Sequence, residues 1–314
     1  MSLLPTLRYA CHMQLPTDRG HVQTEQRNRG SMELDALDSR ECVELMIEDH
    51  KLVSDALLAV SESLASLIDS LSERFNKGGR IIYIGAGTSG RLGVLDASEC
   101  PPTFQSDPDR IIGLIAGGDA ALRKSSESAE DDASGSMPEL TKLKLTTNDT
   151  LIGLAAGGTT PYVLGAIKIA KSMGAHTALI TCAQPKNKPD NCDHLIVLET
   201  GPELLTGSTR LKAGTATKLA LNIITTTLFV QLGKVYSNLM VDLRATNAKL
   251  TDRAIRILIE LCPDLCRQSA QAVLQKANGN LKIAIVMRQL NVTMPQAQDL
   301  LNEHNGVLRS IIEP

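Results

Sequence analysis

Five short apolar segments alternate with segments of helical pattern, and this alternation constrains the fold more than any other feature of the sequence. Buried strands usually have this length and are bounded by Gly or polar residues. The predicted strands are Arg80–Ile84, Ile111–Ile115, Thr150–Leu154, His176–Thr181 and His194–Leu198. Strands that alternate with helices form a parallel sheet covered on both faces. The sequence therefore predicts an α/β fold with three layers.

Helical patterns lie before, between and after these strands. Apolar spacing between Asp38 and Asn76 predicts two or more helices that lead into the first strand. The other predicted helices are Ser126–Leu143, Thr160–Met173, Thr215–Leu232, Thr251–Leu261, Leu265–Ala277, Leu281–Leu290 and Met294–Glu303. We expect an N-terminal extension over residues 1–22, an α/β domain over 23–262 and a small helical domain over 263–314.

Composition excludes several classes of function. A formal net charge of −3 and an aromatic content of 2% do not suit a nucleic-acid surface. No apolar run has the length of a membrane span. The number of Cys residues, seven, is odd, and their spacing is irregular. These two features predict reduced thiols in a cytoplasmic protein. The six His are scattered, so we expect no metal site and no cofactor.

The first candidate ligand loop, Gly85–Gly90, directly follows the first predicted strand. It contains Gly87, Thr88 and Ser89 and matches the dinucleotide pattern G-x-G-x-x-G. That pattern also requires an acidic residue at the end of the next strand, and Asp119 comes late for that role. Hydroxyls beside free helix N-terminal amides suit a phosphate or sugar hydroxyls. We favour a sugar phosphate over a dinucleotide; a simple tight turn remains the alternative.

Two further loops repeat this arrangement after later strands. One contains Gly157–Pro161, where Thr160 is a natural N-cap, and the other spans Gly201–Thr215. Such loops meet at the carboxyl edge of a parallel sheet, where ligands bind. Arg210 and Lys212 could hold an anion or form a solvated surface pair. The candidate substrate-binding residues are Gly87, Thr88, Ser89, Gly90, Gly158, Thr159, Thr160, Glu203, Ser208, Thr209 and Lys212.

Two carboxylates are candidates for acid–base chemistry. Glu99 precedes Pro101-Pro102, which we expect to end any helix and to stiffen the chain beside the first loop. A carboxylate held in this way is a plausible acid or base. Glu130 lies in the acidic, helical cluster Glu127–Asp132, which by composition alone is typical of a solvated surface.

The segment Ile84–Phe104 resembles the signature of N-acetylmuramic acid 6-phosphate etherases. The resemblance covers about Thr24 to Ile311, and the vertebrate glucokinase regulatory protein, a longer relative with two copies of the domain, is similar. Further matching segments are Thr24–Asn28, Ile115–Gly118, Ala129–Asp131, Thr160–Val163, Gly201–Glu203, Thr206–Arg210, Lys212–Thr215 and Asn238–Asp242. The C-terminal segment Ala272–Ile285 resembles a ubiquitin-associated three-helix fold.

The resemblance implies a sugar-isomerase (SIS) fold, a homodimer and a sugar-phosphate substrate. It implies a lyase that cleaves the D-lactyl ether of N-acetylmuramic acid 6-phosphate by elimination and then hydration. It also implies that Glu99 and Glu130 are the catalytic pair, with Glu99 as the acid for lactate and Glu130 as the base at C2; the reverse assignment stays open.

Two loop positions depart from the family pattern. Gly157 replaces a Ser and Thr159 replaces an Arg, so substrate affinity could differ. The alternatives are a non-catalytic sugar-phosphate regulator, a sugar-phosphate isomerase and an oxidoreductase.

Overall fold

A computed structural model of the chain describes residues 18–124, 126–186, 188–245 and 247–313. At its centre lies a parallel sheet of five strands in the order β2-β1-β3-β4-β5. The strands are β1 (Ile81–Gly85), β2 (Ile111–Ile115), β3 (Thr150–Leu154), β4 (His176–Thr181) and β5 (His194–Val197). The predicted α/β fold is confirmed, and each strand end lies within one residue of its prediction. Most of the predicted N-terminal extension, residues 1–17, lies outside the described residues.

The helices cover the sheet and form the C-terminal region. They are α1 (Ser39–His50), α2 (Leu52–Ala59), α3 (Ser61–Asn76), α4 (Gly87–Phe104), α5 (Met137–Leu143), α6 (Pro161–Ser172), α7 (Lys212–Gln231), α8 (Ala248–Leu261), α9 (Arg267–Lys276), α10 (Leu281–Leu290), α11 (Met294–Glu303) and α12 (Arg309–Ile312). A short hairpin joins β6 (Val235–Tyr236) to β7 (Leu239–Met240). Within the described ranges, no helix combines the length and apolar character needed to cross a bilayer.

Side-chain alternation along β1 explains the three layers. Ile81 and Tyr83 point into a cluster shared with α2, α3, α4 and α7. Ile82 and Ile84 point to the opposite face, into a cluster shared with α5 and α6. Because successive strand residues face opposite sides, a continuous apolar strand must be covered on both. Helices therefore pack on both faces of the sheet.

The strand order places a topological switch point between β1 and β3. The chain crosses from β1 outward to β2, and from β3 in the other direction to β4. Crevices that bind ligands lie at the carboxyl ends of the strands at such a point. The loops after β1 and β3 therefore flank the expected ligand crevice, as the sequence predicted.

The single helix predicted over Ser126–Leu143 is wrong. A 3-10 helix covers Glu127–Asp131, and α5 begins only at Met137. The carboxylate of Asp132 accepts hydrogen bonds from the backbone and hydroxyl of Ser134, at 2.8 and 2.7 Å. Such local bonds favour a turn over a continuing helix. Glu130 therefore lies in a short 3-10 segment that the turn separates from α5.

The prolines Pro101 and Pro102 do not end their helix, contrary to the prediction. Helix α4 continues through both to Phe104 and stops at Gln105, which has a left-handed φ of 50°. The prolines lie in the last turn. Their fixed φ is compatible with a helix, although each lacks the N–H that would bond the carbonyl four residues before it. The backbone N–H of Gln105 donates to the carbonyl of Pro101 and closes this turn.

The C-terminal helices share a hydrophobic cluster of their own. This cluster begins at Val241, extends to Ile311 and includes Leu258 of α8. The helical region expected after residue 262 is therefore present, and its core also takes in α8 from before that position.

Candidate functional site

The first glycine loop brings β1 and the start of α4 into direct contact. A Cβ on Gly90 would lie 2.7 Å from the carbonyl oxygen of Gly85, so a larger residue would separate the two elements. Gly87 opens the helix with φ +52°, and the side chains of Thr88 and Ser89 are half-buried beside it. The first N–H groups of a helix lack partners within it, and its dipole favours an anion there. This loop therefore suits a phosphate group.

The second loop packs Gly158 against the end of β4. Gly158 has φ +68°, and a Cβ there would lie 2.9 Å from Oγ1 of Thr181. That hydroxyl donates to the carbonyl of Ala156 at 3.1 Å. Thr160 occupies the N-cap position of α6, as predicted, but its side chain makes no capping hydrogen bond. The half-buried Thr159 and Thr160 lie at the carboxyl edge with the first loop.

In the third loop, two of the predicted substrate residues hold the loop to the core. Buried Glu203 accepts hydrogen bonds from the backbone N–H groups of Lys212 and Ala213, at 3.1 and 2.9 Å, and so caps α7. The Lys212 ammonium lies 2.8 Å from Oδ1 of Asp49. Its side chain is 1% exposed, so the interpretation of Lys212 as part of a solvated surface pair is wrong.

The other two predicted residues of this loop, Ser208 and Thr209, are half-buried near the first loop. A Cβ on Gly214 would lie 3.3 Å from the carbonyl oxygen of Thr209 and 3.5 Å from Cγ2 of Thr88. The amino ends of α4 and α7 therefore lie side by side, and the first and third loops share one wall of the crevice.

Residues 19–31, which we call the rim segment, join the loops at the carboxyl edge. The side-chain amide of Asn28 donates to the carbonyl of Pro202 at 3.1 Å. The hydroxyl of Ser31 donates to the carbonyl of Leu204 at 2.7 Å. Reasoning from residue types missed this role; the only signal was that Thr24–Asn28 belonged to the family resemblance.

The rim segment also covers the second loop at Gly157. A Cβ on Gly157 would lie 3.4 Å from Cγ1 of Val22, 3.5 Å from Oγ1 of Thr24 and 3.6 Å from Oγ1 of Thr159. The hydroxyl of Thr24 is buried and has no hydrogen-bond partner among the described residues. The glycine therefore leaves a small space lined by two hydroxyls. It opens onto a cleft of about 670 Å³ that Lys186 also lines.

The structure places Glu130 at the carboxyl edge. Its 3-10 helix follows β2, and Ser126 just before it packs on Gly117 at the end of that strand. On the other side the backbone approaches α6 so closely that a Cβ on Gly165 would lie 1.8 Å from the carbonyl oxygen of Ala133. The half-buried Glu130 is thus held near the start of α6, where the second loop ends.

Glu99 lies in α4, well beyond the first loop. It comes twelve residues after Gly87 in α4, which corresponds to about 18 Å along the helix axis. Its side chain is exposed, in a groove between α4 and α7 that Leu95, Lys218 and Asn222 also line. The structure does not bring Glu99 and Glu130 together within one chain.

A buried polar cluster fixes α4 beside this groove. Asp96 accepts hydrogen bonds from the hydroxyl of Tyr83 and the side-chain amide of Asn222, both at 3.1 Å, and from the hydroxyl of Thr225 at 3.3 Å. Burial raises the pKa of Asp96 above its ordinary value, although the three hydrogen bonds oppose that shift. The cluster ties α4 to both β1 and α7.

Comparison with known proteins gives consistent results. Residues 63–171 match the family model of the glucokinase regulatory protein N-terminal SIS domain. An N-acetylmuramic acid 6-phosphate etherase of Synechococcus sp. (strain CC9902) is 48% identical over 301 residues, which are 96% of this chain and 95% of that one. A protein of the same name from Staphylococcus epidermidis is 47% identical over 292 residues, 93% of this chain and 99% of that one. Another, from Synechocystis, is 46% identical over 301 residues, 96% and 98% of the two chains.

Proposed function

The chain belongs to the N-acetylmuramic acid 6-phosphate etherase family, and from this membership we propose how its own residues release D-lactate. It is a carbon–oxygen lyase with a SIS-type fold, and its substrate is N-acetylmuramic acid 6-phosphate. The observation that carries this function is sequence identity of 46 to 48% with such etherases over nearly the full length of both chains.

The crevice at the β1–β3 switch point is the proposed site of the 6-phosphate. The amino end of α4 offers backbone N–H groups and the hydroxyls of Thr88 and Ser89, and the third loop adds Ser208 and Thr209. The ammonium of Lys212 is already paired with Asp49. We therefore expect Lys212 to support this site by holding the third loop in place and not by contacting the phosphate. Binding energy from the remote phosphate would position the reacting carbons for the acid and the base.

The proposed reaction begins from the open-chain sugar, whose C2 proton is α to the aldehyde. Glu130 takes the C2 proton, the bond between C3 and the lactyl oxygen breaks, and Glu99 gives its proton to that oxygen. Water then adds at C3 of the conjugated alkene after losing a proton to Glu99, and C2 regains a proton from Glu130. The products are N-acetylglucosamine 6-phosphate and D-lactate. Glu130 fits the C2 base because it lies at the same edge as the phosphate loops.

The test compares Glu99→Gln with Glu130→Gln in labelled water. Both variants should fold and lose D-lactate release. Glu130→Gln should also lose exchange of the C2 proton with solvent deuterium, whereas Glu99→Gln should keep it, because the acid acts after that proton has left. Near-native lactate release by either variant would remove that residue from the mechanism, and the opposite exchange pattern would reverse the roles.

A homodimer in the cytoplasm completes the proposal. The cysteines of the described residues are free thiols, and burial raises the pKa of Cys100, Cys182 and Cys192, which favours the unreactive protonated form. Light scattering on the purified protein tests the dimer.

A further inference from the structure

The substrate of the proposed function carries two negative groups, and the proposed phosphate site takes only one of them. That site lies between the first and third loops, at the amino ends of α4 and α7. The second negative group is the carboxylate of the lactyl ether on C3. Glu130, the proposed base for C2, lies near the start of α6, where the second loop ends. The neighbouring C3 and its lactyl group should therefore lie beside the second loop.

The second loop has features of an oxyanion site but contributes no charged side chain. Its half-buried Thr159 carries a hydroxyl, and no side chain caps the amino end of α6 at Thr160. The amino end of a helix carries partial positive charge, which favours an anion there. Thr159 stands where the family pattern has an Arg. A cation for this loop must therefore come from another segment of the chain.

A buried hydroxyl lies at the head of the cleft beside this loop. Thr24 in the rim segment is 0% exposed, and its Oγ1 has no hydrogen-bond partner among the described residues. That oxygen lies 3.5 Å from the position that a Cβ on Gly157 would take, and Oγ1 of Thr159 lies 3.6 Å from the same position. A buried hydroxyl without a partner is costly. An oxyanion that entered the space at Gly157 would accept its hydrogen bond.

Lys186 brings a positive charge to the same cleft. The segment that carries it leaves β4 beside the second loop, because the backbone N–H of Cys182 donates to the carbonyl of Ala156 at 2.8 Å. Lys186 then lines the cleft together with Gly157 and Thr159. Its side chain is exposed, and no carboxylate within the described ranges pairs with its ammonium. This charge is therefore available to a ligand.

The other charged residues of the cleft, Lys188 and Asp190, belong to its opposite end. The ammonium of Lys188 donates to the carbonyl of Asp193 at 3.1 Å. The backbone N–H of Asp193 in turn donates to the carbonyl of Thr177, the second residue of β4, at 3.0 Å. This end of the cleft therefore lies toward the amino edge of the sheet. Of the two lysines, Lys186 is the one on the side of the carboxyl edge.

We propose that Lys186 is a specificity-determining residue that binds the lactyl carboxylate of the substrate, a role that rests on the proposed function. Its ammonium pairs with the carboxylate, the hydroxyls of Thr24 and Thr159 donate to the carboxylate oxygens, and the amino end of α6 faces them. The cleft thereby selects the lactyl ether over a sugar phosphate that has a free hydroxyl at C3.

A comparison of the substrate with its own product in Lys186→Met tests this role. N-Acetylglucosamine 6-phosphate has the same phosphate but no lactyl group, so it is a competitive inhibitor that does not contact Lys186. The variant should raise KM for N-acetylmuramic acid 6-phosphate about tenfold and leave the inhibition constant of the product unchanged. Equal rises in both constants would place Lys186 on the phosphate, and an unchanged KM would leave it without a contact. Either result overturns the proposal.

Lys188→Met is the matched control and should keep both constants, because the Lys188 ammonium bonds Asp193 at the other end of the cleft. Thr159→Arg in the Lys186→Met background should restore KM, since it returns a cation to the same cleft. A Lys188→Met protein with the same rise in KM would assign the effect to the net charge of the cleft and overturn the proposal. Failure of the proposed function is seen separately, because the wild-type protein would then release no D-lactate.

Discussion

The ammonium of Lys212 and the carboxylate of Asp49 form an ion pair of 2.8 Å, with side chains only 1% and 9% exposed. Removing one partner leaves a buried charge, whereas removing both does not. We expect Lys212→Met to lower the free energy of unfolding by about 3–5 kcal/mol. Lys212→Met combined with Asp49→Leu should recover most of that loss in urea denaturation. Equal urea midpoints for the single variant and wild type would contradict this role.

Gly157 and Gly158 are adjacent but should respond differently to the same change. The space at Gly157 accepts a Cβ at ordinary contact distances, and Oγ1 of Thr24 lies close enough to bond a new hydroxyl. Gly157→Ser should therefore keep its melting temperature. Because it restores the Ser that the family pattern has at this position, it should also lower KM. Gly158→Ser should lose about 1–3 kcal/mol of stability, because its φ of +68° suits glycine and its Cβ would meet Thr181. A Gly157→Ser protein that melts as early as Gly158→Ser would contradict the prediction.

Gly165 controls where Glu130 lies. A Cβ at this position would overlap the carbonyl oxygen of Ala133, only 1.8 Å away, and must displace the backbone that follows the 3-10 helix. We expect Gly165→Ala to lower kcat by at least tenfold, with a loss of stability seen in thermal unfolding. Lys168→Ala, on the exposed side of the same helix, is the control and should keep both. Wild-type kcat in Gly165→Ala would mean that this contact does not position Glu130.

His176 makes stability depend on pH. Burial, helped by the charge of Arg74, lowers its pKa to about 4, although the charge of Asp193 opposes the shift. Because the unfolded chain protonates first, near its ordinary pKa of about 6.5, the folded state loses stability as the pH falls from there toward 4. His176→Asn should flatten this loss between pH 7 and pH 5 in urea denaturation. His194, whose pKa is also lowered by burial, should leave a residual slope.

The control for this substitution is His21→Asn, which removes an exposed imidazole. An unchanged slope in the His176 variant would assign the pH dependence to other groups.

Local pattern was enough to predict the sheet and the loops. The strands are short apolar runs, most of them bounded by Gly or polar residues, so neighbours in sequence determine them. Gly87, Gly158 and Thr160 follow directly from where those strands end. The α/β fold, its SIS type and the family were predicted for the same reason: the segment Ile84–Phe104 is continuous in the chain.

Contacts between distant residues could not be predicted in this way. Asp49 lies 163 residues from Lys212, so nothing near Lys212 reveals that its charge is already neutralised. From the sequence, the prolines of α4 are predicted to end the helix, because the sequence does not show that they fall in its last turn. The position of Glu99 along the direction of the strands depends on how α4 packs on β1. The sequence gives only the number of residues between Glu99 and Gly87.

The rim segment has a consequence for the order of folding. Its hydrogen bond from Asn28 to Pro202 closes a loop of 174 residues, and that from Ser31 to Leu204 closes one of 173. Contacts of such long sequence separation form slowly, since the intervening chain must first be arranged. On a ribosome, residues 19–31 emerge before any strand of the sheet, yet they must wait for every strand before they can dock. Competence to bind a sugar phosphate is therefore acquired late in folding, after the sheet has formed.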